Sequence, residues 1–217
     1  MGRFCVIGVS NFGYHLAASL YQEGHEVVVV DSERNRLQKV QNLSSYAILA
    51  DAADKDFLAA QGLVEMDAVI ISTGGHTHQA TLITLYLKEL GCKRIIVKSN
   101  DEDHSKILHK VGAHEIIFPE KDMAIKTAHN LVSPNILDYL PMVDDYSISE
   151  LAPPKHFIGK DLIQLDLRRR FDILVIGIKD VLTDSFLLLP PADHVIKESD
   201  LLVTFGKTEN LERAAKP

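Results

Sequence analysis

The sequence predicts an α/β fold: a Rossmann-type doubly wound parallel sheet with a second, smaller α+β domain. Three observations predict it. Residues 1–118 alternate short apolar runs with longer amphipathic ones in six β-α repeats, the pattern of a parallel sheet with right-handed crossovers. The second apolar run holds four valines in succession, Val27–Val30, β-branched and apolar on both faces, as a central strand covered by helices requires. After Pro119 the alternation stops and strand signals dominate.

The elements follow in order. Strands are expected at Phe4–Ile7, Val27–Val30, Tyr46–Leu49, Ala68–Ile71, Ile95–Val97 and Ile116–Phe118. Between them come helices at Phe12–Glu23, closed by Gly24, and at Arg34–Asn42, then a short one capped by Asp54 and ending at Gly62. Thr77–Leu90 carries Leu82, Leu85 and Leu90 on its apolar stripe and stops at Gly91, and Asp101–Val111 ends at Gly112. Beyond the sheet, helices are expected over Glu120–Leu131 and Pro134–Leu140, two in a row and hence a bridge leaving the first domain. The remainder has strand signals at Tyr146–Leu151, Ile173–Ile178, Phe186–Leu189 and Leu201–Phe205, with a short helix over Asp161–Arg168. The predicted organisation is a nucleotide-binding domain at 1–118, crossover helices and linker at 119–141, and a small α+β ligand-binding domain at 142–217. A domain of about 75 residues buries little core alone, which predicts dimerisation.

Composition narrows the function. With 217 residues, 46% hydrophobic and 24% charged, the chain has the make-up of a globular protein with a sizeable core. It has no apolar run long enough to span a bilayer, and Met1-Gly2-Arg3-Phe4-Cys5 runs into a strand without a signal-peptide layout, so a cytoplasmic location is expected. A formal net charge of -7 argues against a nucleic-acid partner. The one dense basic run, Arg168-Arg169-Arg170, is either an anion site or the cationic end of a helix. Cys5 and Cys92 sit far apart in apolar contexts and are read as reduced, buried thiols.

The chemistry is concentrated after the first strand, in Gly8-Val9-Ser10-Asn11-Phe12-Gly13. This is a dinucleotide fingerprint with Ser10 in place of the middle glycine. Gly8 permits the tight turn and Gly13 close packing of helix on strand. The middle position lies where backbone approaches a pyrophosphate at a helix N-terminus; a serine hydroxyl there can bond a phosphate oxygen or crowd the site. Asp31 ends the second strand, 18 residues past Gly13. A carboxylate there accepts both ribose hydroxyls and repels a 2′-phosphate, favouring NAD or an adenosine nucleotide over NADP.

Further polar residues stand at the carboxyl ends of strands, where open α/β sheets bind ligands. Asp51-Ala52 follows the third strand, Ser72-Thr73-Gly74-Gly75 the fourth, and Lys98 closes the fifth. Asp51 is equally well read as a turn or capping residue, and Lys98 as a solvated lysine. His76 and His78 form a His-x-His pair with no third metal ligand near in sequence, which makes a polar loop the better reading.

With these residues in place, the sequence closely resembles the RCK family of potassium-flux regulators, the KtrA and TrkA type. The resemblance covers nearly the whole chain. It rests on Val6-Ile7-Gly8 through Gly24-His25-Glu26-Val27, on Val30-Asp31 and Asp51-Ala52, and on Phe118-Pro119-Glu120-Lys121-Asp122-Met123. Phe157-Ile158-Gly159-Lys160, Leu165-Asp166-Leu167-Arg168 and Glu198-Ser199-Asp200-Leu201-Leu202-Val203-Thr204-Phe205-Gly206 carry it through the second domain. The resemblance implies homodimers that assemble into an octameric ring beneath a membrane potassium-translocating subunit. It implies that an adenine nucleotide (ATP, ADP, NAD or NADH, depending on the member) gates potassium flow from the first domain. By the same resemblance Gly8, Ser10, Asn11, Phe12 and Gly13 form the phosphate loop, Asp31 and Arg36 the ribose end, and Asp51 and Ala52 the adenine side. Ser72, Thr73 and Gly74 leave room for base or ribose, and Lys98 matches the basic residue closing the fifth strand. Glu120 matches a glutamate that in some members helps hold a divalent cation near the phosphates, and the helix after it matches a crossover helix.

Two departures matter. Members that sense ATP against ADP commonly carry arginine where this chain has Asn11, which shifts expectation toward NAD, ADP or AMP. Some members bind cyclic di-AMP in the C-terminal domain; Arg168 matches a contact arginine, whereas Leu174 stands where asparagine is used. The competing class is an NAD-dependent oxidoreductase. It would need a substrate domain and a positioned acid or base, and in this short, strand-rich tail no His or Lys has an evident carboxylate partner in sequence. The expected function is therefore a regulatory subunit without catalysis, with a nucleotide-sensing subunit of some other transporter as the alternative.

Overall fold

A computed structural model describes residues 1–132 and 135–216. The chain divides into two compact units, Met1–Asp122 and Met123–Pro217.

The first unit is a six-stranded parallel sheet. Its strands are β1 (Arg3–Ile7), β2 (Glu26–Asp31), β3 (Tyr46–Leu49), β4 (Ala68–Ile71), β5 (Ile95–Lys98) and β6 (Glu115–Ile117), arranged β3-β2-β1-β4-β5-β6. The order reverses between β1 and β4, which creates a crevice at their carboxyl ends. Helices α1 (Asn11–Gln22), α2 (Arg34–Val40), α3 (Lys55–Ala60), α4 (Thr77–Leu90) and α5 (Glu102–Val111) connect the strands, and α6 (Pro119–Val132) follows β6. Alternation along the strands sorts side chains into two layers. Cys5, Ile7, Val28, Val30, Val69 and Ile71 enter one core, while Val6, Val27, Val29, Ala68 and Ile70 enter the other. Each fully buried aliphatic side chain stabilises the sheet by about 1.5–3 kcal/mol. Both thiols lie in the first of these cores, free and buried, and burial pushes the Cys5 thiol up to about 12.

Caps set the helix limits. Ser10, Asp54 and Asp101 accept backbone N–H bonds at the starts of α1, α3 and α5. Gly91 takes the left-handed conformation that ends α4.

The second unit is built on a five-stranded antiparallel sheet, ordered β10-β9-β11-β8-β7. Its strands are β7 (Ile136–Pro141), β8 (Tyr146–Leu151), β9 (Ile173–Asp180), β10 (Ser185–Leu188) and β11 (Asp200–Lys207). Along β8, Ser147, Ser149 and Leu151 are buried in alternation. Helices α7 (Leu162–Leu165), α8 (Leu167–Phe171) and α9 (Thr208–Ala215) complete the unit. Leu151, Phe157, Leu165, Ile173, Ile178, Leu202 and Leu211 meet in its core.

Three expectations are corrected here. The helix expected over Pro134–Leu140 is the strand β7, and Pro134 lies outside the described residues. Asp144 and Asp145 both take positive φ, +52° and +64°, and turn β7 back onto β8 as a tight hairpin. A run too short to sustain a helix pairs instead with β8 as an antiparallel edge strand, with a register shift between Ile136 and Asp138. The single helix expected over Asp161–Arg168 breaks at Asp166, whose left-handed backbone ends α7 and opens α8. Finally, the second unit does pair its cations with carboxylates. His194 Nε2 lies 3.2 Å from Asp200 Oδ2, and Lys179 and Lys197 sit 3.0 and 3.8 Å from Asp184 and Asp180. Asp200, 1% exposed, also accepts from Lys197 N at 2.9 Å, so this pair ties the preceding loop to β11.

Candidate functional site

The fingerprint loop leaves β1 at Gly8, whose N–H continues the sheet by donating to Val30 O at 2.8 Å. Gly8 has φ +93°, and a Cβ there would stand 2.4 Å from the carbonyl oxygen of Ser72. At Gly13 a Cβ would fall 2.1 Å from the Gly8 carbonyl oxygen. Both glycines are thus demanded by backbone contact. The position between them is different. Ser10 has φ -66° and ψ 174°, ordinary extended backbone, and needs no glycine. Its hydroxyl is already engaged: it accepts from Gly13 N at 3.3 Å and bonds Ser72 Oγ at 2.5 Å. It caps α1 and ties the loop to the end of β4, so the phosphate bond expected of it would have to compete with these partners.

Asp31 lies beside this loop. One carboxylate oxygen accepts from Val9 N at 2.7 Å and the other from Glu33 N at 2.8 Å. The residue is only 6% exposed, yet it lines a cavity of about 220 Å³. Arg36 pairs with Glu33 at 2.9 Å, with a second nitrogen 3.9 Å from Asp31. Gly8, Asp51, Ala52 and Thr73 line the same cavity. Asp51 Oδ1 also accepts from Ala53 N at 2.9 Å, so its turn role and its place at the cavity coexist. A second cavity, of about 720 Å³, continues from the first through the shared residues Arg36, Thr73 and His76. It opens over Ser10, Asn11 and Gly74.

The remaining expected residues stand apart from both cavities. Phe12 packs against the core, Gly13 is buried beneath the loop, and Ser72 is fully buried. Lys98, with only 7% of its side chain exposed, gives its ammonium to Glu120 at the start of α6. That bond holds the Glu120 carboxyl below its usual range. Among the described residues no cluster of three His, Cys, Asp or Glu side chains is placed to hold a metal ion. Arg168, Arg169 and Arg170 form the exposed last turn of α8, where cations complement the helix end.

Several lining residues escaped the sequence reading: Glu33, Gln79, Tyr14, His15 and Lys39. Spacing held part of the signal. His15 stands four residues after Asn11, and Lys39 three after Arg36, so each shares a helix face with a residue already singled out.

Comparison with known proteins shows the family. The TrkA-N domain family matches residues 4–119 and the TrkA-C domain family residues 147–217. Ktr system potassium uptake protein C of Bacillus subtilis (strain 168) is 35% identical over 214 residues, 99% of this chain and 96% of its own length. Ktr system potassium uptake protein A of the same organism is 34% identical over 211 residues, 97% and 94% of the two chains. Among solved structures, the GsuK channel bound to NAD superposes over the whole chain with a TM-score of 0.65 at 19% identity, and this chain spans 40% of its length. The GsuK RCK domain superposes with a TM-score of 0.66 at 18% identity, again over the whole of this chain and 48% of that one. These two structures share the fold. With both domain families matched and full-length relatives above one-third identity, the chain belongs to the TrkA-N/TrkA-C family that includes the Ktr potassium uptake proteins.

Proposed function

We propose that the chain is a regulatory subunit that binds an adenine nucleotide in its first unit and thereby controls a membrane potassium-translocating partner. The observation that carries this reading is Asp31. It is held rigidly by Val9 N and Glu33 N at the crevice, with its carboxylate still facing the cavity. A carboxylate offers about four acceptor sites; two are taken, and two remain for a ribose diol. The relatives' names as potassium uptake proteins supply the process. A nucleotide controls such a partner by binding two states of the assembly with different affinity.

The finer points belong to the same reading. The subunit forms homodimers that assemble into an octameric ring and acts at the inner face of the membrane through its partner. Among the described residues no helix is long and apolar enough to cross a membrane. Glu120 would help hold a divalent cation near the phosphates once Lys98 releases it, and Arg168 would face a cyclic dinucleotide in the second unit. No catalytic role is proposed for either unit.

Thermal shift with ATP, ADP, AMP, NAD and NADH tests the reading, because a ligand that binds only the folded chain raises its melting temperature. Calorimetry on Asp31→Asn then tests the site. The amide keeps the shape and loses the charge-assisted bonds, so affinity should fall by about 1–3 kcal/mol. Unchanged affinity would remove Asp31 from the site, and no stabilisation by any of these nucleotides would refute the sensor.

A further inference from the structure

The parallel sheet of the first unit has two edges, and they are protected differently. β6 is three residues long, and its Glu115 pairs with Arg94 at 2.6 Å. β3, Tyr46-Ala47-Ile48-Leu49, has no charge, no proline and no register shift along its pairing with β2. An exposed edge without these devices is a template for another strand. Ala50 N donates inward to Asp31 O, so by alternation the N–H and C=O groups of Leu49 and Ala47 point outward, where β3 has no neighbour. A third cavity, of about 480 Å³, lies between this edge and α2. Its floor is apolar, from Leu37, Ala47 and Leu49, and Arg34, Gln38 and Gln41 stand around it. Arg34 is exposed and forms no ion pair among the described residues, so its charge is not already spent within the fold. None of these six residues lines the two cavities of the candidate site.

We propose that this edge and its cavity dock an extended acidic segment of a protein partner, which adds a strand outside β3 and sets a carboxylate on Arg34. The outward groups of Ala47 and Leu49 supply the main-chain bonds of strand addition, and alternate side chains of the segment enter the cavity. Apolar ones meet Leu37 and Leu49, and a carboxylate meets the guanidinium in a charge-assisted bond. Charge favours such a segment over a second copy of this chain. Antiparallel pairing of β3 with its own copy, about a two-fold axis perpendicular to the sheet, sets both α2 helices on one face. Each α2 carries Arg34, Arg36 and Lys39 and no carboxylate, so the two helices repel. The proposal does not rest on the nucleotide reading, since it uses a different edge of the sheet.

Two blocked, labelled peptides test this on the full chain: Thr-Val-Thr-Val-Thr-Glu-Thr, which presents two valines and a glutamate on one face, and the same peptide with lysine for glutamate. Fluorescence anisotropy reads binding, and amide hydrogen exchange reads its place. The acidic probe should bind, weaken with rising salt and slow exchange at Ala47 and Leu49. The lysine probe should bind about tenfold more weakly, the scale of a charge-assisted contact. Arg34→Glu, at an exposed position, should melt with the wild type and invert the order of the two probes. Ala47→Pro removes one outward N–H at an edge, where proline is tolerated, and should weaken both probes. No binding of the acidic probe, equal binding of the two probes to the wild type, or protection confined to other strands would overturn the proposal. A wild-type dimer that Ala47→Pro converts to monomer would give the edge to a second copy and overturn it as well.

Discussion

The two units turn their chains with different residues. In the first, every described residue with positive φ is a glycine: Gly8, Gly24, Gly62, Gly74, Gly91 and Gly112. In the second, five aspartates and a leucine take that conformation (Asp144, Asp145, Asp166, Asp172, Asp184 and Leu189), joined by Gly159 alone among the glycines. A side chain in the left-handed region costs about 1–2 kcal/mol, less for Asp, whose short polar group bonds locally. The first unit therefore keeps its turns unstrained, and close backbone approach at the site forbids anything else. The second accepts a small strain at its aspartate turns and retains polar surface there.

The largest effect should come at the site. Gly13→Ala drives a Cβ to 2.1 Å from the Gly8 carbonyl oxygen, a backbone atom with no side-chain freedom to yield. We expect a loss of about 3 kcal/mol or more in urea unfolding, together with loss of nucleotide-induced stabilisation. Ser10→Gly is the control in the same loop. It removes a cap and a bond to Ser72 and should cost well under half as much. If Gly13→Ala folds with near-native stability, the close-approach account of the loop is wrong.

A reciprocal pair tests the turns themselves. Gly62 (φ +65°) and Asp145 (φ +64°) have nearly the same φ, and a Cβ at Gly62 would meet nothing within 4 Å. The two positions share a backbone conformation and differ in the residue that adopts it. Gly62→Ala should lose about 1 kcal/mol, and Asp145→Gly should gain about 0.5–1 kcal/mol. The gain is expected because it is the backbone oxygen of Asp145 that accepts from Thr208 N and Thr208 Oγ1. A loss at Asp145→Gly would mean that the aspartate does more there than fill a turn.

The same contrast explains what the sequence could disclose. Gly24, Gly62, Gly91 and Gly112 punctuate the first unit, and strands such as Tyr46–Leu49 and Ala68–Ile71 and the helix Thr77–Leu90 were legible to the residue. In the second unit the turns are written in aspartate, which also serves as cap and surface residue. The hairpin at Asp144-Asp145 and the break at Asp166 therefore left no unambiguous mark, and a strand was read as a helix. In the fingerprint loop the two glycines were legible because close backbone approach demands them, and Asp31 because it ends the second strand 18 residues past Gly13. Lys39 and His15 were not, because α1 and α2 are separated along the chain and only the packed sheet turns their faces to one cavity. Lys98 was visible as a charge at a strand end, but its partner Glu120 came from the far side of β6.

That Lys98–Glu120 pair gives the smallest effect. Among the ion pairs it is unequal: the lysine side chain is 7% exposed and the glutamate 65%. The Glu120 carboxyl is held below its usual range chiefly by the hydrogen bond from Lys98. A carboxyl whose folded pKa is lowered contributes stability above its unfolded pKa, and that contribution is lost as pH falls through the folded value. The window is therefore acidic, from about pH 4.3 downward. Solvent screening at the exposed glutamate limits the contribution to about 0.2–1 kcal/mol. Glu120→Gln should remove this part of the acid limb in pH-dependent melting, while at neutral pH it leaves a nearly buried ammonium bonded only to an amide oxygen. Lys121–Glu102 is the comparison, since that carboxyl is also held low but both partners are exposed, 53% and 70%. Glu102→Gln should cost less at neutral pH than Glu120→Gln. Equal costs would mean that the burial of Lys98 adds nothing to its pair, and that this lysine could leave Glu120 for a phosphate without penalty.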